Sequence, residues 1–236
     1  MATRRPEHAR AAGASRRRRA RGSLSRDEIL DAALQIVESD GLPRLSMPAL
    51  ADRLESGVTS IYWYFENKEA LLAALAERVA HDLHRLLPPV GTGRWTDELV
   101  HYFAAYRDLL REHTAYLELV AYGPAATMHY ALTRTAQRRL DDGLDLLVGA
   151  GLDRTAALEA FAACNNYTRG FVVLEQATLV SGAGISPVVP NGTQLDNQLE
   201  QAWDRELHVF DTFGDQQFRY GLQLLVAGIE ATNRRD

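Results

Sequence analysis

From Ser25 onward, apolar residues return every third or fourth position, the period of an α-helix packed along one face. Ser25 and Glu28 form an S-x-x-E capping box. The stripe Ile29, Ala33, Ile36 and Val37 follows it, so a first helix is expected to run to Asp40-Gly41, where glycine can adopt the left-handed C-terminal conformation. Ser46 can cap a second helix, and Pro48 is tolerated in its first turn, where amides lack intrahelical partners. Met47, Leu50, Ala51 and Leu54 give its packed face. Gly57 lies in the following turn, and the pattern predicts a third helix over 59–65. Asn67 caps a fourth, with Leu71, Leu72, Leu75, Val79 and Leu83 on the buried side.

Pro88-Pro89 and the glycines after it interrupt the pattern. Beyond them, helices are expected over 95–111, to about Tyr122, over 126–150 and 154–180, and then near 194–210 and 215–233. A Gly-, Pro- and Ser-rich stretch over 181–192 reads as a loop. Neither a strand pattern nor an internal repeat is found. The fold class is therefore all-α: a basic arm over 1–24, expected to be disordered, a helix-turn-helix head over 25–70, and a larger helical body over 71–236.

The third helix carries the most informative chemistry. Tyr62, Trp63 and Tyr64 are consecutive, with Phe65 and Lys68 just beyond and Thr59 and Ser60 just before. Rings flanked by hydroxyls and a cation suit a helix in the DNA major groove, where hydroxyls meet phosphates and rings meet thymine methyls and sugars. The alternative is that rings hold the head onto the next helix; this applies to Phe65 and is open for Trp63.

Charge sharpens the picture. Residues 1–24 hold eight arginines and one acid, whereas residues 25–68 hold four basic residues against eight acids. The run Arg16 to Arg19 with Arg21 reads either as a solubilising start or as an arm touching phosphates or the minor groove. A transit peptide would also be Arg-rich, but no Leu, Ile, Val or Phe precedes Leu24 to give an amphipathic face. The single cysteine, Cys164, excludes an intrachain disulfide, and no apolar run approaches ~18 residues. A cytoplasmic protein without membrane spans is expected.

These residues resemble the tetracycline-repressor (TetR) family of transcription regulators. The resemblance is strongest over LADRL, IYWYFENKEALLAAL and Trp95, and continues through NNYTRGFVVLE and QFRYGLQLLVAGIE. It implies a homodimer whose two heads read a palindromic DNA operator, and a small-molecule effector that releases them. By position it implies DNA contacts at Ser46, Thr59, Ser60, Tyr62, Trp63, Tyr64 and Lys68. Lys68 and Tyr62 fall at phosphates, Ser60 and Tyr64 nearer the bases. Two departures stand out. The family places glycine and valine where this chain has Glu55 and Ser56, so the turn is expected to re-form around Gly57 with Val58 as apolar anchor. Met47-Pro48 replaces a threonine and a base-reading arginine of the prototype, so its operator is not expected to be shared.

In the body the resemblance implies effector contacts at His84, Tyr102 and Tyr106, with a polar helix end or core packing as the alternatives, and places Glu175 one position from the prototype's acidic contact; Asn166, among the aliphatics of 154–180, is read as lining the pocket, pairing across a dimer interface or lying on a solvated face. The prototype's metal-binding histidine falls at Leu119 or Val120, neither of which can ligate magnesium. Recognition of tetracycline–magnesium is therefore not expected; an aromatic or amphipathic effector is, with no cofactor and no metal. Gly221, Ala227 and Gly228 would allow close approach between subunits. An enzyme is the rival class, but the seven histidines are scattered and Cys164 has no neighbouring base in the sequence. A regulator without an effector, or one controlled by a protein, is the nearer rival.

Overall fold

Ile29, Ala33, Ile36 and Val37 are each at most 3% exposed, which turns the stripe read from the sequence into the floor of a core. The computed structural model describes residues 24–90, 93–122, 134–181 and 214–233. Helix α1 spans Arg26–Asp40 behind the complete Ser25–Glu28 capping box. A 3₁₀ turn, Leu42–Arg44, leads to α2, Met47–Arg53, capped by the Ser46 hydroxyl, which accepts the Ala49 N–H at 3.2 Å. Helix α3 is Val58–Tyr62, and α4 is Lys68–Leu86, capped by Asn67.

Gly41 ends α1 with φ +85° and ψ 158°, a positive-φ extended conformation rather than the left-handed helical one expected, while its N–H still reaches the Val37 carbonyl at 3.0 Å. The connection from α2 to α3 differs more. Glu55, not Gly57, carries the left-handed φ of 49°, and Gly57 sits at φ −79° as the cap of α3. The turn keeps its place although its glycine is gone, because Leu54 and Val58 are tied to the packed face of the head. Val58 supplies the apolar anchor as expected, but Ser56 leaves a buried hydroxyl with no hydrogen-bond partner. Helix α3 is also shorter than predicted. Ile61 and Phe65 both enter the core, and the Ile61 carbonyl accepts the amides of both Tyr64 (2.9 Å) and Phe65 (3.0 Å), a shared bond of the kind common at helix ends.

The body comprises α5 (Trp95–Glu112), α6 (Thr114–Ala121), α7 (Arg134–Gly149), α8 (Arg154–Ser181) and α9 (Asp215–Asn233). The described residues contain helices and turns only. The expected helix over 126–150 is seen from Arg134; its first part, the 181–192 loop and the 194–210 helix fall in segments that lie outside the described residues. A second core forms where α5, α7, α8 and α9 come together, centred on Leu99, Phe103, Leu110, Leu147, Val172 and Leu222. Full burial of such side chains stabilises by roughly 1.5–3 kcal/mol each.

Helix α6 belongs to both cores. Ala115 and Leu119 complete the head's core, while Leu117 enters the body's. Glu38 of α1 accepts the amides of Thr114 (3.2 Å) and Ala115 (2.7 Å), and Glu118 of α6 accepts the Leu42 amide. Tyr116 donates to Asp82 at 3.1 Å, and burial beside that carboxylate pushes its phenol up to about 12. Asp82 in turn pairs with Arg78, which reaches Asp31 of α1 at 3.2 Å.

Candidate nucleic-acid interface and effector site

The short α3 turns a ring-rich edge outward because Ile61 and Phe65 hold its other side in the core. Trp63 is 86% exposed, Tyr62 48% and Tyr64 41%, and Thr59 joins them on the surface. Ser60 and Lys68 are half-buried. Trp63 therefore does not hold the head onto α4; Phe65, 2% exposed, is the ring that enters the head's core, with the Arg26 guanidinium 5.3 Å above it. Large apolar surface this open is unusual unless a partner covers it.

Tyr64 differs from its neighbours. Its hydroxyl donates to the backbone carbonyl of Leu24, so it anchors the chain entering α1 and is not a free base-reading group. Ser46 likewise uses its hydroxyl oxygen as the cap of α2. The group brought together on one open edge is thus Thr59, Tyr62 and Trp63, flanked by Ser60 and Lys68.

In the body, Tyr102 and Tyr106 are 8% and 7% exposed and pack on Phe103, with ring centroids 5.1 and 6.5 Å away. Tyr102 also meets Phe161 at 6.0 Å. Asn166 points outward, on a face of α8 shared with Gly170 and the 54% exposed Leu174, so it does not line the body's interior. The side chain of His84 lies outside the described residues. Of Leu119 and Val120, the two candidates for the prototype's metal position, Leu119 is sealed in the head's core and Val120 packs against both cores.

Glu175 is buried and held by a residue the sequence reading passed over. Arg107 is 3% exposed and grips Glu175 through two parallel bonds of 3.2 and 2.8 Å, with a third of 2.7 Å to Asp215. Its guanidinium lies over both the Phe171 ring (5.4 Å) and the Phe218 ring (4.9 Å), which meet each other edge to face with centroids 5.2 Å apart. Burial works against its charge, but the bonds to Asp215 and Glu175 outweigh that and hold its pKa above the ordinary value. The same bond holds the Asp215 carboxyl below its usual range. Arg111 adds contacts of 3.2 Å to Glu175 and 3.3 Å to Asp215. The network ties α5, α8 and α9 together. A clue was available: Arg107 falls four residues after Phe103 and three before Leu110, on the apolar face of α5.

Two open clefts adjoin this region. One of about 410 Å³ is bounded by Asp108, Arg111, Glu112, Glu175 and Gln176. The other, of about 390 Å³, lies between α5 and α9 and includes Arg94, His101, Arg219 and Glu230. Among the described effector residues expected from the sequence, Glu175 borders one of these clefts, and its charge is met by Arg107. On α8 and α9 a separate face stays open, with Leu174, Tyr220 and Leu224 each more than half exposed. Gly221 does not belong to that face: a Cβ there would collide with the Tyr167 hydroxyl, so this glycine seats an aromatic of its own chain. Around Gly228 there is open space, and Ala227 is exposed.

Comparison with known proteins gives a consistent picture. Residues 29–75 match the family model described as bacterial regulatory proteins, tetR family, and residues 87–233 match the tetracyclin repressor-like C-terminal domain. An HTH-type transcriptional repressor of Mycobacterium tuberculosis is 31% identical over 220 residues, covering 89% of this chain and 82% of that one. The class D tetracycline repressor protein of Escherichia coli is 28% identical, covering 88% and 89%. Among solved structures, a possible TetR family transcriptional regulator of Streptomyces coelicolor superposes with a TM-score of 0.69 at 26% identity, covering 88% of this chain and 100% of that one.

Proposed function

The chain belongs to the tetR family of bacterial regulatory proteins, and on that premise we propose that it is a cytoplasmic homodimeric repressor released from a palindromic operator by a small molecule. The observation that carries the reading is the open edge of α3, where Tyr62 and Trp63 stand in solvent beside Thr59 while Ile61 and Phe65 fix the helix from behind. Such an element fits the major groove, with Lys68 near a phosphate. Dimerisation is supported by the outward face of α8 and α9, whose Leu174, Tyr220 and Leu224 would be covered by the same face of a second copy. The effector is taken to be an aromatic or amphipathic molecule rather than tetracycline–magnesium. Neither Leu119 nor Val120 can ligate a metal, both being apolar packing residues, and Glu175 already has Arg107 as its counter-ion.

The test is a gel shift on the DNA upstream of the chain's own gene, repeated across a panel of small molecules. Retarded DNA released by one compound is the expected result. Retardation untouched by any compound would favour a regulator without an effector. Absence of any sequence-selective binding would refute the DNA-reading assignment.

A further inference from the structure

Helices α5 and α9 run antiparallel and are pinned at both ends. Arg94, just before α5, reaches Glu230 near the end of α9 at 3.2 Å, and Arg107 holds Asp215 at the start of α9 at 2.7 Å. Between the pins the two helices leave a groove of about 390 Å³, at the small end of the range for ligand pockets. Helix α5 lines it with Thr96, Val100 and His101, and α9 with Arg219, Gln223 and Val226. Tyr220 and Leu224 lie roughly a quarter turn further round α9, so the groove is separate from the open apolar face of α8 and α9.

The two pins set a register in which His101 stands opposite Gln223, with Arg219 one turn further along α9. Arg219 is exposed and enters no ion pair among the described residues. The acid one turn before it, Asp215, is already taken by Arg107. Arg219, His101 and Gln223 can all donate hydrogen bonds, so this end of the groove suits an anion. At the other end Glu230 is matched by Arg94, while Asp97 adds a negative charge that disfavours a second anionic group. Val100 and the 4% exposed Val226 make an apolar floor between the two ends. Thr96, 8% exposed, borders the groove at the Asp97 end, and its hydroxyl has no hydrogen-bond partner. Buried hydroxyls are nearly always bonded, so Thr96 has a bond to offer an occupant.

We propose that this groove binds a small aliphatic monocarboxylate that carries an uncharged polar group at its far end. The carboxylate meets Arg219, His101 and Gln223, the chain lies on Val100 and Val226, and the polar end reaches Thr96. His101 and Thr96 are five residues apart on α5, roughly 7.5 Å along the helix axis. That is close to the length of a six-carbon chain with bonds of about 1.5 Å. The site is separate from the cleft beside Glu175, and it does not depend on the DNA-reading assignment.

The experiment titrates ω-hydroxyhexanoate into the full chain by ligand-observed NMR, beside two molecules of matched length. Adipate sets a second carboxylate against Asp97 and Glu230, and hexanediol has no carboxylate at all. The hydroxy acid is expected to bind about tenfold more tightly than either, or better. Arg219→Gln is expected to weaken it by about tenfold. Ala227→Phe, which fills the groove from an exposed position, is expected to abolish binding. Glu112→Trp, which crowds the other cleft from an exposed position, is expected to leave it unchanged. Thermal melts equal to the parent's confirm that each variant is folded. Failure of the hydroxy acid to bind, or equal binding of all three molecules, would overturn the proposal. So would binding that survives both Arg219→Gln and Ala227→Phe, or that is lost with Glu112→Trp. Because binding is read on the protein without DNA, failure of the gel-shift test shows separately.

Discussion

Replacing Glu55 by glycine removes a strain that the structure locates at one backbone angle. Glu55 sits at φ 49°, the one positive-φ residue other than glycine among those described, and its side chain is exposed. The left-handed conformation costs a β-carbon-bearing residue about 1–2 kcal/mol. Glycine escapes that cost but loses roughly 0.5–1 kcal/mol of extra chain entropy on folding. The difference predicts a net gain of about 0.5–1 kcal/mol for Glu55→Gly. For a chain this size that raises Tm by about 1–4 °C. Thermal unfolding followed by circular dichroism at fixed protein concentration is the assay, with the urea midpoint as a second measure. Glu55→Gln is the control, since it removes the charge but keeps the β-carbon, and it is expected to leave Tm unchanged. A Tm for Glu55→Gly equal to or below the parent's, or an equal rise for Glu55→Gln, would refute the backbone argument.

Other expectations follow from the same geometry. Trp63→Ala is expected to alter stability by less than about 0.5 kcal/mol, because the side chain stands in solvent, while lowering operator affinity; unchanged affinity by fluorescence anisotropy would remove Trp63 from the interface. Lys68→Ala is expected to weaken all duplexes about equally and reduce the salt slope by about one unit, read from the same titrations. Arg107→Met leaves Glu175 buried with less compensation and is expected to cost roughly 3 kcal/mol in urea unfolding, the low end of the range because Arg111 stays within 3.2 Å of Glu175. Adding Glu175→Gln is expected to recover part of that loss. Asp215 has a folded pKa below its ordinary value of 3.8, so its contribution is present above that pH and is lost as pH falls through the lower folded value. Asp215→Asn is therefore expected to lower stability near neutrality and to flatten the acid limb of a stability–pH curve, the two chains converging as pH falls below about 4.

What could be read from the chain was local. Ser25 with Glu28, Asn67 with its following helix, and the stripe from Ile29 to Val37 each act within a few residues, and each is found where the sequence places it. The head's family signature lies in one contiguous stretch, so the fold class was also legible. The misreadings involve partners distant in sequence. Propensity pointed to Gly57 as the pivot of the turn, but packing on both sides fixed the geometry and left Glu55 in the left-handed position. Tyr64 and Leu24 are separated by 40 residues, so no periodicity could disclose their bond. Arg107 was passed over because arginine is ordinarily solvated, although its place between Phe103 and Leu110 was a warning. Gly221 showed only that space was needed, not that Tyr167 of the same chain fills it.

Helix α6 gives half its apolar side to each core, and that division has a cost for anyone who would cut the molecule in two. A fragment ending near residue 90 would lack Ala115 and Leu119 and would leave their seats among α1 and α4 open to water. Glu38 and the Leu42 amide would lose their opposite numbers at the same stroke. Head and body are thus not modules on a tether. They are mortised together through eight residues, Thr114–Ala121, whose side chains are divided between the two cores.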